Sequence, residues 1–249
     1  MNRTLKKILS TGRVVNKDGT ERILTSAIGP DEVAFLERTI GSLNPFRTSV
    51  EVGCAYGISS LVICEALSKV SGDRKHHIVD PCQLTDYKGN GIHHLKEEGF
   101  NFFELHATGS EIALPWLIAN GSEKSVDLVF IDGWHTFDHT LLDIFYAVRL
   151  LRVGGILVVD DAGQPAVGRA IGYLSQYPCM QLVDVSHGGG GFIRRLASIC
   201  CKIIPFPVAR VVMPAAMLDA IYSRSRFGSM AAFKKIAEDT RPWNWYCKF

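Results

Sequence analysis

The sequence predicts an α/β protein, a doubly wound and mostly parallel sheet of seven strands with helices on both faces and a C-terminal extension. Three observations carry that prediction. Short apolar runs alternate along the chain with stretches whose apolar residues recur at three-to-four spacing, which is the strand–helix–strand rhythm of a parallel sheet. The run 126–131 is apolar almost throughout, as a strand covered on both faces must be. Acidic residues stand at or beside the end of four of the first five runs, where an open sheet of this kind binds its ligands.

The elements follow in order. Residues 30–40 read as a helix, with Pro30 suited to a first turn, Asp31 and Glu32 suited to its positive end, and Gly41 closing it. Residues 49–52 form a first short strand stopped by Gly53, and a helix with apolar Ile58, Leu61, Val62 and Leu67 comes next. A second strand at 77–80 ends at Pro81, a third spans 102–106, and a helix around 111–119 leads to the fourth strand at 126–131. The next helix carries Leu141, Leu142, Phe145, Val148 and Leu151; Gly154 and Gly155 are expected to end it, and a fifth strand to begin at Ile156. A helix near 166–176 precedes two runs, 180–185 and 191–194, that complete the sheet as an antiparallel edge pair. The expected organisation is a cap segment over 1–29, the main domain over 30–195, and an extension over 196–249 that serves as lid, packing or interface.

Composition narrows the classes. The chain has 249 residues, 21% of them charged and 47% hydrophobic, which suits one globular domain with an appendage and excludes a disordered or collagen-like chain. A formal net charge of +2 supplies no bulk attraction for nucleic acid or an anionic membrane. The 7 Cys contain no CxxC pair, so neither a zinc ribbon nor a disulfide scaffold is indicated, and reduced thiols in a cytoplasmic setting are expected. The most apolar stretch, 196–221, is broken by Lys202, Pro205, Pro207, Arg210, Pro214 and Asp219, so no membrane-spanning segment is expected.

The strand ends define the candidate site. Glu51-Val-Gly-Cys-Ala-Tyr-Gly57 follows the first strand, Asp80 the second, Thr108-Gly-Ser110 the third, Asp132-Gly-Trp-His135 the fourth and Asp160-Asp161 the fifth. Converging carboxylates repel one another unless a cation or a hydroxyl-rich ligand compensates. Gly53 and Gly57 lie four apart, so backbone can approach a ligand where a Cβ would clash. A dinucleotide fingerprint needs G-x-G-x-x-G here, but position 55 is Ala and Glu51 is poorly placed for a phosphate, so a ligand with a cationic portion fits better. Asp80 is positioned to accept from ribose hydroxyls. His76–His77 is not read as a structural metal site, because adjacent residues of a strand face opposite ways, nor is His93–His94, which sits in a variable segment after the second strand where a substrate lid could lie. The run His187-Gly-Gly-Gly-Gly191 reads as an irregular hairpin loop.

Glu51-x-Gly53-x-x-x-Gly57, Asp80, Asp132-Gly-x-His135, Leu150-Leu-x-x-Gly-Gly155 and Asp160-Asp161 together resemble class I S-adenosylmethionine-dependent methyltransferases. The stretch 127–161 is similar more narrowly to small-molecule O-methyltransferases of the catechol and macrocin types, and the likeness spans about 50–195. The resemblance implies a Rossmann-like methyltransferase fold and a bound S-adenosylmethionine. It puts Glu51, Gly53, Ala55, Tyr56, Gly57 and Ser59 around the methionine part, Asp80 at the ribose, Gly109 and Ser110 beside the adenine, and Asp132 at the cofactor's edge. It also implies a divalent cation, Mg²⁺, at Asp132, Asp160 and Asp161, which would fix and acidify an acceptor hydroxyl. His135 and His139 are the candidate general bases, with His135 favoured; the catechol enzyme carries a lysine at that position. The expected partner is a small hydroxylated acceptor, with a homodimer as the assembly. Two other readings stay open here: a nicotinamide-dependent oxidoreductase, disfavoured by the missing fingerprint, and a catalytically silent binding domain, disfavoured by the intact Asp and His set.

Overall fold

The computed structural model describes residues 1–24, 28–186 and 226–247. Helix α1 (Arg3–Thr11) and a hairpin of β1 (Arg13–Val15) and β2 (Glu21–Ile23) precede α2 (Pro30–Gly41). Strands and helices then alternate: β3 (Thr48–Val52), α3 (Ile58–Ser68), β4 (Lys75–Val79), α4 (Asn90–Glu97), β5 (Phe103–His106), α5 (Ser110–Leu117), β6 (Val126–Ile131), α6 (Phe137–Leu150), β7 (Leu151–Val159), α7 (Pro165–Leu174) and β8 (Met180–Ser186). A last strand, β9 (Met230–Lys235), closes the described chain. The sheet order is β5-β4-β3-β6-β7-β9-β8, parallel from β5 to β7, with β9 antiparallel to both of its neighbours.

Alternation along each strand divides the core into two layers. Val50, Val52, Val129, Ile131, Leu157 and Val159 face α5, α6 and α7, while Leu128, Phe130, Ile156 and Val158 face the layer of α1, α2 and α3. Helix α3 is largely buried, with Ile58, Leu61, Val62, Ile63, Cys64 and Leu67 all inside. The strand order reverses between β3 and β6, which opens a crevice beyond their carboxyl ends.

Two expectations are corrected. Gly154 and Gly155 do not end a helix: α6 stops at Leu150, and the glycines lie inside β7, where the pairing with β6 shifts register between Val126 and Leu128. A Cβ at Gly155 would sit 3.0 Å from the Val126 carbonyl oxygen, so the glycine is there for a close strand–strand approach. The partner of β8 is β9, drawn from the segment expected to lie beyond the sheet, while 191–194 and the glycine run from His187 fall outside the described residues. Strand β9 is anchored by a buried lysine. The Lys235 Nζ donates to the carbonyls of Val148 (3.0 Å) and Leu151 (2.8 Å), satisfying orphan carbonyls at the C-terminal end of α6. Among the described residues, no helix is long and apolar enough to cross a membrane.

Candidate active site

The loop between β3 and α3 is built from left-handed residues. Gly53, Ala55 and Gly57 have φ of 88°, 48° and 82°, so Ala55 holds a conformation that a side chain rarely adopts. A Cβ at Gly53 would fall 1.9 Å from the Asp132 carbonyl oxygen, and one at Gly57 would fall 2.9 Å from the Gly91 carbonyl oxygen. The two glycines thus allow close backbone contacts within the protein, with the residue after β6 and with α4.

Asp80 clamps this loop. Its Oδ2 accepts from the backbone N–H of Cys54 (3.1 Å) and Ala55 (2.9 Å), and its Oδ1 accepts from that of Cys82 (2.8 Å). One lone-pair site on Oδ1 is left for a ribose hydroxyl, which narrows the role expected of it. Gln83, which the sequence did not single out, completes the clamp by donating to the Ala55 carbonyl (2.8 Å) and accepting from Gly91 N–H (3.1 Å).

Glu51 is fully buried between the sheet and α3, where it accepts from Ser60 Oγ and contacts His76 Nε2 at 3.1 Å. His76 Nδ1 in turn meets Ser49 Oγ at 2.9 Å, so His76 belongs to an internal polar network. The Oε1 of Glu51 has no hydrogen-bond partner. A buried carboxylate oxygen without a donor is costly alone and suits the neighbourhood of a cationic amino group. Ser59 is buried in the first turn of α3, and Tyr56 stands edge-on to Tyr87 at 5.3 Å beneath the Arg22 guanidinium.

At the other side of the crevice, Gly109 caps α5 and Ser110 opens it. Ser110 lies beside Asp143 of α6, a residue that the sequence reading missed. Both Asp143 carboxylate oxygens are buried without a well-formed hydrogen bond. Burial pushes this acid up to about 6, against the opposing pull of the Ser110 hydroxyl and His139.

The ends of β6 and β7 gather the acids. Burial first, then the charges of Asp160, Asp161, Glu51 and Glu32, raise Asp132 well above the ordinary carboxylate range. Asp160 is pushed up to about 8 by burial and then by Glu32. Glu32 arrives from α2, where its side chain accepts from Gly29 N–H at 2.8 Å as half of a capping box. Asp161 has φ of 50°, a strained turn, and its Oδ2 lies 3.3 Å from His135 Nε2. One ligating atom each from Asp132, His135 and Asp161 can be chosen so that all lie within 4.8 Å of one another. The trio expected to hold a cation was Asp132, Asp160 and Asp161; Asp132 and Asp161 belong to the group within 4.8 Å, and Asp160 is the first of the neighbouring charges that raise Asp132. A carboxylate such as Asp132, raised by burial and by the neighbouring acids, is one that a divalent cation relieves, so this corner of the crevice fits one. His139 sits apart, in the first turn of α6, stacked on Trp134 at 5.3 Å and bonded to the capping Thr136 hydroxyl at 3.2 Å. It is not among the residues grouped with Asp132 and Asp161.

Residues 50–162 match the family model described as a methyltransferase domain. No curated protein sequence matches the chain. Among solved structures, cofactor-bound Rv0187 from MTB shares 21% identity with a TM-score of 0.54, covering 65% of this chain and 77% of that one. An O-methyltransferase from Bacillus cereus in complex with SAH shares 15% identity with a TM-score of 0.60 over 76% of this chain and 87% of its own. A SAM-dependent O-methyltransferase from Thermotoga maritima shares 13% with a TM-score of 0.52 over 74% of this chain and 60% of its own. At such identities these neighbours establish the fold. With the glycine loop of β3, the clamp on it and the acids across the crevice all inside the matched segment, residues 50–162 form a methyltransferase domain, and the chain resembles class I S-adenosylmethionine-dependent methyltransferases of the small-molecule O-methyltransferase type.

Proposed function

We propose that the protein transfers a methyl group to a hydroxyl of a small molecule, with His135 as the general base and Asp161 as the residue that orients it. The observation that carries this reading is the convergence of Asp132, His135 and Asp161 beyond β6 and β7, next to the glycine loop. When bound, S-adenosylmethionine supplies an electrophilic sulfonium methyl. The loop 53–57 and its Asp80 clamp would hold the cofactor's methionine and ribose parts, Ser110 and Gly109 would lie at its adenine, and the unpartnered Glu51 Oε1 favours its cationic portion.

An acceptor hydroxyl arriving at the crevice must lose a proton as its oxygen attacks the methyl carbon. His135 Nε2 is the basic nitrogen at that place, and the Asp161 carboxylate 3.3 Å away fixes the ring and stabilises the imidazolium that results. Asp132 and Asp161 are the residues that would hold a divalent cation, whose charge would lower the hydroxyl's pKa. The partly exposed His135 ring and the outward Trp134 leave the acceptor side open to solvent, which suits a small-molecule entrance. The resemblance of 127–161 to small-molecule O-methyltransferases, and the fact that two structural neighbours are O-methyltransferases, support oxygen as the accepting atom.

The test begins with calorimetric titration of S-adenosylmethionine into the protein, with and without Mg²⁺, and with NAD as control. Saturable binding of the first and none of the second is expected. His135→Ala should then lower turnover on a phenolic or sugar acceptor by about 10²–10⁴-fold with cofactor affinity nearly unchanged. Equal loss of both would remove His135 from the base role, and binding of NAD would overturn the reading altogether.

A further inference from the structure

We propose that His77, Glu104 and His106 form a second divalent-metal site, of the zinc type, on the β4–β5 margin of the sheet. The register of this parallel pair sets Glu104 directly opposite His77, and His106 opposite Val79, two residues further on. All three side chains therefore project from one face of the sheet, the face on which Trp116 of α5 packs against the His106 ring at 5.4 Å. His76, the sequence neighbour of His77, is turned to the other face and engaged with Glu51 and Ser49, so the site is made by a diagonal neighbour across the strands.

The donor atoms are spaced as they are around an ion. His77 Nδ1 is 3.1 Å from His106 Nε2 and 3.8 Å from Glu104 Oε2, and the three ligating atoms lie within 4.8 Å of one another. In a tetrahedral zinc site with metal–nitrogen bonds near 2.0–2.1 Å, neighbouring ligand atoms are about 3.3 Å apart. Two imidazoles and one carboxylate, with a water or an outside donor in the fourth place, are a recurrent zinc set. Both rings are also held toward the neutral form that ligates, His77 down at about 4 by burial and then Lys75, His106 lowered by burial. The competing arrangement is a lone imidazole–imidazole hydrogen bond beside an ion pair in which Lys75 Nζ reaches Glu104 Oε2 at 2.5 Å. Lys75 then occupies the carboxylate that a metal ion would use. An ion here would tie the edge strand β5 to β4 and so steady the 107–110 turn that leads into α5.

The experiment is a competition titration of chelator-stripped protein with Zn²⁺, repeated with Co²⁺ to read the visible bands of a tetrahedral centre. It is run in wild type and in a His135→Ala, Asp161→Asn background, so that the acid cluster across the crevice contributes no binding. One zinc per chain is expected in that background, with His106→Gln and Glu104→Gln each weakening it by at least about tenfold. Lys75→Ala should tighten it, because the competing cation is gone. Far-ultraviolet circular dichroism of each stripped variant establishes that it is folded. Absence of zinc binding in the folded background, or zinc affinity unchanged in folded His106→Gln, would overturn the proposal. Neither result bears on S-adenosylmethionine binding.

Discussion

Replacing Gly53 with alanine tests whether the β3 loop and the β6 end are a single rigid unit. The added Cβ would lie 1.9 Å from the Asp132 carbonyl oxygen, 2.6 Å from its carbon and 3.2 Å from Gly133 N, all of them backbone atoms. To reach ordinary contact the Asp132 peptide must retreat by about 1.5 Å, since side chains do not yield here. That movement breaks the hydrogen bond from Asp132 N–H to the Val52 carbonyl, 2.8 Å long and the first beyond the strand pairing. The left-handed φ of 88° adds roughly 1–2 kcal/mol for any L-residue, the overlap about 1–3 kcal/mol and the lost bond about 1 kcal/mol. A destabilisation of about 3–6 kcal/mol is expected, a large part of the roughly 5–15 kcal/mol available to a domain. Gly121→Ala is the control, because its φ of 92° carries the same strain with nothing within 4 Å of the new Cβ. Urea denaturation of the two variants should separate them by at least about 2 kcal/mol, and calorimetry should show Gly53→Ala with weakened cofactor binding. If both variants lose the same amount, the contact between the glycine loop and Asp132 is not a structural constraint, and the coupling argued for the site is wrong.

Two further outcomes follow from the geometry. Asp143 is buried and raised to about 6, so the folded state holds its proton more tightly than the unfolded chain does, and stability contributed at low pH is lost as pH rises from about 4 to 6. Asp143→Asn should remove that loss, leaving the variant up to about 3 kcal/mol more stable than wild type at pH 7.5 and close to it at pH 4; parallel pH profiles in chemical denaturation would refute the assignment. Truncation after residue 195 removes β9, with the Lys235 contacts to the end of α6, and strips the inner partner from both β7 and β8. The shortened chain should be insoluble or molten by near-ultraviolet circular dichroism, and a soluble product with cooperative unfolding would show that β9 is dispensable.

Periodicity was enough to read most of the alternating elements from α2 to α7, though not α4 or the first residues of β7, because strand and helix leave different spacings, two and 3.6, in the positions that face a core. The strand-end acids were legible too, since an open α/β sheet places strand termini on one edge whatever the sequence between them. Glu32 carried a faint signal in its capping position after Pro30, whereas nothing local marks Gln83 or Asp143, whose roles exist only once α4 and α6 are packed.

Local pattern is thus readable from residue order alone: most of the strands, the loops that carry glycine, and the strand ends that hold acids and histidines. The tertiary structure decided which of them meet. Asp161 reaches His135 through a left-handed turn, while Asp160, its chain neighbour, is buried toward Glu32. His77 parts from His76 and finds His106. Strand β9 comes in from beyond residue 195 to separate β7 from β8. Each of these is a contact between residues distant in the chain, or a choice of face at one residue. Such contacts depend on register and packing among elements, and short-range spacing does not encode them.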